Sequence, residues 1–300
     1  MNIVMALFPL IILIAMGYLL KQTCFVTDEF WGNSEKLNYF ILFPVLLFLN
    51  LESVELDLAT VSSVLTVLVL AIFIAALILF ILKKIYVIPV QRFGVYMQSQ
   101  VRFNTYIGLS LMASLFGPKG MQMFAMLIAI AIPLVNILSV LALSSLSWST
   151  LGRTIISITK NPLILGCIVG VAFNLLDLKL IHSVEQLFKL LAAMSLPLGL
   201  FSVGAALQFD QFKTHSSRLL MNVFGRLVLM PLLAYGLCQI FGLSRLDSMI
   251  VVTFFMLPTA SASYILTRVY QGDHALMAAV ISLQTLCFAV SFPVLMSLLF

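Results

Sequence analysis

Two polar runs interrupt an otherwise apolar chain, and they carry the residues that could do chemistry. The first lies between Gln98 and Gly108 and holds Arg102, Asn104 and Thr105; the second lies between Leu257 and Tyr264 and holds Pro258, Thr259, Ser261 and Ser263. Amides and hydroxyls can hydrogen-bond an anion, and an arginine adds positive charge in a planar fork. Pro258 removes a backbone donor and clashes with the preceding turn, and small hydroxyl residues around it can take up the backbone groups so freed. The chemistry in view is the binding of an anion at broken-helix ends. An enzyme would need a nucleophile–base pair or a metal cluster at one depth, and neither can be assembled. Cys24, Cys167, Cys238 and Cys287 form no CxxC, and His182, His215 and His274 fall in predicted loops. No metal and no cofactor is expected.

The charges inside the apolar runs narrow the chemistry further. All eleven acidic residues sit between the runs or at their ends. That argues against a proton or sodium antiporter built on buried carboxylates, and against a prenyltransferase with clustered Asp ligands. Arg102 and Arg226 remain, each roughly 12–14 Å into its run at about 1.5 Å per residue. An unpaired charge at that depth costs about 2.5–3.5 kcal/mol on insertion scales, which an anion or exposed helix carbonyls could offset. Arg102, two residues from Asn104, is assigned to the anion site. Arg226 is read as snorkelling toward the cytoplasmic face.

The elements that must position these residues are membrane helices. The 300 residues are 62% hydrophobic and 9% charged, against about 25% charged in an ordinary soluble domain. A soluble enzyme, a nucleic-acid binder, a secreted disulfide scaffold and a single anchor with a globular head are all excluded. The apolar runs predict ten spans, near 3–20, 34–52, 59–82, 93–115, 121–147, 161–178, 186–207, 217–241, 247–267 and 275–299. The first run has no basic leader and no small-x-small site, so it is expected to stay as a helix. Ten Lys and Arg residues lie at the connections after odd-numbered spans and four after even-numbered spans. The odd connections are therefore expected in the cytoplasm, and both termini outside.

The chain also repeats itself. Pro9 and Pro162, Gly17 and Gly170, Pro44 and Pro197, and Phe48 and Phe201 are each separated by 153 residues. Two five-span halves, 1–147 and 161–300, then flank a short cytoplasmic connector at 148–160. An odd number of spans per half makes the repeat inverted, the arrangement common to secondary transporters. The two polar runs fall in the fourth and ninth spans, which are repeat partners, and paired interruptions of this kind point to a transport site.

Several segments together resemble the auxin efflux carrier family. They are Pro9 to Gly17, Leu37 to Phe48 around Asn38 and Pro44, Asn104 to Gly108, Leu196 to Leu207 around Pro197 and Gly204, and Leu257 to Ala260. They occur in the family's order over nearly the whole chain, which looks like a short prokaryotic-type member. The resemblance implies an all-α integral membrane protein with ten transmembrane helices in two inverted five-helix repeats. The fold would be similar to that of bile-acid and sodium/proton transporters, with the fourth and ninth helices broken and crossing near the midplane. The first, second, sixth and seventh helices would form a scaffold that also makes a homodimer. The implied activity is alternating-access transport of a small organic anion, such as a carboxylate, across the plasma (inner) membrane. Asn104 matches the family's substrate-contacting Asn, and Pro258 its crossover proline. The sequence departs from the plant pattern at Phe103, where a proline usually precedes the Asn, so the first break must rest on Asn104, Thr105 and Gly108. A coupling ion, proton or sodium, stays open. The alternative is a sodium-coupled organic anion symporter of the bile-acid type, in which Ser261, Ser263 and freed carbonyls hold the ion.

Overall fold

The computed structural model describes residues 3–54, 58–143, 152, 156, 159–209 and 216–300, and every regular element among them is helical. Most of the expected connector at 148–160, the end of the fifth span beyond 143, Glu55, Asp57, Asp210 and His215 lie outside the described residues. Seven helices or helix runs are long and apolar enough to cross a membrane. The chain is a multi-pass membrane protein. One of the seven runs, Val90–Leu143, has 54 residues. A continuous helix of that length would reach about 80 Å, more than twice a hydrocarbon core. It is not continuous. Residues 102–104 leave the helical conformation, and Gly117 sits at φ 58° and ψ −148°, backbone open to glycine because it has no Cβ.

Two compact units draw on both halves of the sequence. The first comprises Met1–Leu56, Leu109–Ile130 and Ile156–Ala206. It holds α1 (Ile3–Gln22), α2 (Asp28–Leu37), α3 (Phe43–Glu52), α7 (Pro162–Leu175), α8 (His182–Ala205) and the middle of α6 (Thr105–Leu143). Within it α1 packs along α8 and α3 packs along α7. The approaches are close because glycines line them. A methyl group on Gly17 would overlap the carbonyl oxygen of Phe201, and one on Gly170 would lie 2.8 Å from the carbonyl oxygen of Phe48. These two contacts exchange under the 153-residue shift: Gly17 becomes Gly170, and Phe201 answers to Phe48. Asn38 lies buried between these helices, with Nδ2 donating to the Ser195 carbonyl at 2.9 Å and Oδ1 accepting from Ser195 Oγ at 2.7 Å. Along α1, Val4, Met5, Phe8 and Leu19 stay exposed, as suits side chains that face lipid.

The second unit comprises Asp57–Gly108, Ala131–Ile155 and Leu207–Phe300. It holds α4 (Leu58–Ile85), α5 (Val90–Val101), α9 (Ser216–Phe224), α10 (Met230–Ile240), α11 (Arg245–Met256), α12 (Ala262–Val269) and α13 (His274–Leu299). Val95, Leu219, Leu276, Met277 and Val280 form part of its core. A π-helical turn, Gly225–Leu229, joins α9 to α10, and its Gly225 carbonyl accepts from the Met230 N–H. Pro231 follows directly. A proline has no N–H for the carbonyl four residues back and its ring crowds that turn, so the helix widens there. The turn Asn38–Leu42 in the first unit precedes Pro44 in the same way. The breaks fall inside the two polar runs, at residues 102–104 and 257–261, but His182 and His274 are first residues of helices and do not lie in loops.

Candidate functional site

Within the second unit, the breaks in the two polar runs cross. α5 stops at Val101; Arg102 takes an extended conformation, φ −80° and ψ 148°, and α6 begins at Thr105. α11 stops at Met256, Leu257 is likewise extended at φ −63° and ψ 140°, and α12 begins at Ala262. The strands of chain between them are tied by the Asn104 N–H, which donates to the Pro258 carbonyl at 2.8 Å. Asn104 is 1% exposed, and its Oδ1 accepts from the Ile107 N–H at 3.1 Å, which makes it the N-cap of α6. The first break thus forms without a proline. Phe103 is buried, with its ring centroid 4.2 Å from that of Phe254.

Ending a helix in hydrocarbon frees carbonyls that must find new donors. Two neighbouring side chains supply them here, for three carbonyls. The Ser99 carbonyl accepts from Thr259 Oγ1 at 2.9 Å. The Gln100 carbonyl, which Asn104 would bond in a continuing helix, accepts from Arg226 Nη1 at 2.5 Å. The Leu257 carbonyl accepts from Arg226 Nε at 2.8 Å. Arg226 is 0% exposed, so the expectation that it snorkels is overturned. Its depth costs less than an unpaired charge would, because one guanidinium serves two helix ends, each bearing negative partial charge. Its Nη2 finds no acceptor among the described residues.

Amides complete the centre. Gln284 Oε1 accepts from the Thr259 N–H at 2.8 Å and lies 2.7 Å from Thr259 Oγ1, and Gln284 Nε2 donates to Asn222 Oδ1 at 3.0 Å. Asn222 Nδ2 donates to Ser99 Oγ at 2.6 Å, and Gln100 Nε2 donates to the Asn222 carbonyl at 3.0 Å. Gln98 Nε2 donates to Thr267 Oγ1 at 2.8 Å. Of the residues singled out from sequence, Asn104, Pro258 and Thr259 meet at the crossing. Arg102, Thr105 and Ser261 flank it half-buried, and Ser263 is buried as the second residue of α12. Thr259 is engaged internally by Gln284 and Ser99. Asn222 and Gln284 are the residues sequence reasoning missed at this centre, and Arg226 is the one it singled out but placed elsewhere. The signal for the two amides was present, since each is a strong hydrogen-bonding group inside an apolar span.

No curated protein matches the chain. The sequence profile of the membrane transport proteins, in contrast, matches residues 144–296, which take in Arg226, the second break and Gln284. With half of its length matched, the chain belongs to that family, the auxin efflux carrier and membrane transport family.

Proposed function

We propose that the protein carries a small organic anion, a carboxylate, across the membrane by alternating access, and that the anion is recognised at the crossing of the two broken segments. The observation that carries this reading is the imbalance of charge there. Each helix end bears roughly half an elementary charge, positive at the N-terminus and negative at the C-terminus. The C-terminal ends of α5 and α11 are neutralised by Arg226. The N-terminal ends of α6 and α12 are left with roughly one positive charge between them, and Arg102 lies next to the first. A carboxylate complements that potential, and helix N-termini bind anions readily. In this reading Asn104, Thr105, Arg102 and Ser261 face the substrate, while Pro258, Thr259 and Ser263 shape the break.

Ten spans in two inverted halves are reached if Val90–Leu143 is divided at Gly117 and if α7 and the broken pair α11 and α12 each count as a span. The exchange of the Gly17–Phe201 and Gly170–Phe48 contacts under one sequence shift supports the duplication. Such a repeat supplies two pseudo-equivalent states, one open to each side. The excess of basic residues after odd-numbered spans supports external termini. Uptake of labelled mono- and dicarboxylates into proteoliposomes, with and without sodium and pH gradients, tests the function. Movement of an organic cation with no carboxylate transported would overturn it.

A further inference from the structure

Carbonyls released at a broken helix are a natural cation site, and half-helix C-terminal ends hold sodium or protons in many carriers. Here the released carbonyls of Gln100 and Leu257 are both taken by one guanidinium. We propose that Arg226 is a tethered cation: its guanidinium occupies the place where the crossing would otherwise hold a dissociable monovalent cation. Removing the side chain turns the crossing into a binding site for free guanidinium and, more weakly, for sodium. The inference rests on the crossing being the transport centre, but not on which solute is carried.

Three further observations support it. Among the described residues no Asp or Glu forms an ion pair with Arg226, so the carbonyl dipoles are what balances the charge. The surrounding polar side chains, Gln100, Asn222 and Gln284, are neutral amides. Arg226 also sits within the π-helical turn Gly225–Leu229, where the backbone approaches so closely that a Cβ on Gly225 would lie 3.1 Å from Gln100 Oε1. The widened turn therefore sets the guanidinium between two helix ends supplied by distant parts of the chain. A bound metal ion would have to meet the same carbonyls.

Thermal unfolding of the purified protein in lipid nanodiscs tests this without a substrate. Wild type should melt at the same temperature in sodium, potassium and choline chloride. Arg226→Ala should melt several degrees lower, and low-millimolar guanidinium chloride should restore most of the loss while urea at the same concentration does not. Sodium should raise the variant slightly over choline. A saturable, sodium-specific rise in the wild type would overturn the proposal, because it would show a dissociable cation still bound. So would Arg226→Ala melting like the wild type, or guanidinium lowering both proteins alike. If Arg226→Ala does not accumulate, Arg226→Lys and Arg226→Gln decide. Lys keeps a charge within reach of the carbonyls and should fold with an intermediate midpoint, whereas Gln should fail or melt lower still. Gln melting at or above Lys refutes the tethered charge. Absence of carboxylate uptake would refute the proposed substrate and leave these melting results standing.

Discussion

Asn104 holds two roles at the crossing, and substitutions can separate them. Its Oδ1 caps α6 through the Ile107 N–H at 3.1 Å, while its backbone N–H bond to Pro258, at 2.8 Å, survives any side-chain change except proline. Removing a cap costs about 1 kcal/mol, or roughly 2–4 °C in a chain of this size. Asn104→Ala should lose that much stability. If Asn104 also donates to a bound carboxylate, losing a hydrogen bond to a charged group costs about 1.5–3 kcal/mol more in binding, a ten- to hundredfold fall in affinity. Asn104→Asp separates the two effects. It keeps an oxygen acceptor at the cap and adds negative charge at a helix N-terminus, which is favourable by about 0.3–1 kcal/mol, so its melting temperature should match or exceed the wild type. The same charge cancels the potential that attracts the substrate, so Asp should transport less well than Ala. Melting in nanodiscs and carboxylate uptake in proteoliposomes read the two roles independently. Wild-type uptake by the Asp variant would refute the anion reading of this helix end, and wild-type melting by the Ala variant would refute the cap.

Gln284→Leu leaves the buried Thr259 N–H and Asn222 Oδ1 without their partner. At about 1–3 kcal/mol for each orphaned group the variant should lose at least about 2 kcal/mol, visible as a lower melting midpoint; an unchanged midpoint would show that the network contributes no stability. Gly204→Val drives a side chain into the Ile14 carbonyl, whereas Gly236→Ala enters open space; only the first should abolish the monodisperse peak on size-exclusion chromatography. Arg102→Gln should reduce carboxylate uptake severely and Arg102→Lys less, since Lys keeps the charge but loses the planar fork; equal, near-normal uptake by both would remove Arg102 from the site. The amides and hydroxyls of the crossing do not titrate near neutrality and arginine stays charged, so between about pH 6 and 8 the affinity for a carboxylate that is fully ionised there should be flat. A steep change would place a titrating group in contact with the substrate.

The breaks were legible in the sequence because a break leaves a compositional trace. Pro258 with its small hydroxyl neighbours, and the polar run around Asn104, cannot sit quietly in an unbroken apolar helix. One offset joined Gly17 to Gly170, but it did not say that these glycines would lie against Phe201 and Phe48. Arg226 was not legible. Its depth in the membrane could be estimated from sequence, but its acceptors are the carbonyls of Leu257 and Gln100, 31 and 126 positions away. Backbone carbonyls look alike in every sequence, so nothing marks the two that are free. Asn222 and Gln284 escaped for a different reason. Charge dominates the cost of burial, so Asp, Glu and Arg draw attention first, although a buried amide also needs partners on every polar atom. A search for lone amides within apolar spans would have found both, though not that they meet.

Hydrogen-bond accounting at the crossing supports the same proposed preference for an anion as the charge count. On the acceptor side, the Gln98 carbonyl keeps its helical partner in the Arg102 N–H. The Ser99 carbonyl is taken by Thr259, those of Gln100 and Leu257 by Arg226, and that of Pro258 by Asn104. On the donor side, the first amides of a helix have no acceptor within it. At α6 one of them, that of Ile107, is capped by Asn104. At α12 the N-cap residue Ser261 makes no side-chain cap, and the Ser263 and Tyr264 N–H groups donate to the Ala260 and Ser261 carbonyls, each at 3.0 Å. The carbonyls of Ser99, Gln100, Leu257 and Pro258 are therefore all taken, while Arg226 Nη2 keeps a donor with no acceptor among the described residues. A ligand that brings acceptors, as a carboxylate does, completes this arrangement, whereas a cation would have to compete with Arg226 for carbonyls already in use.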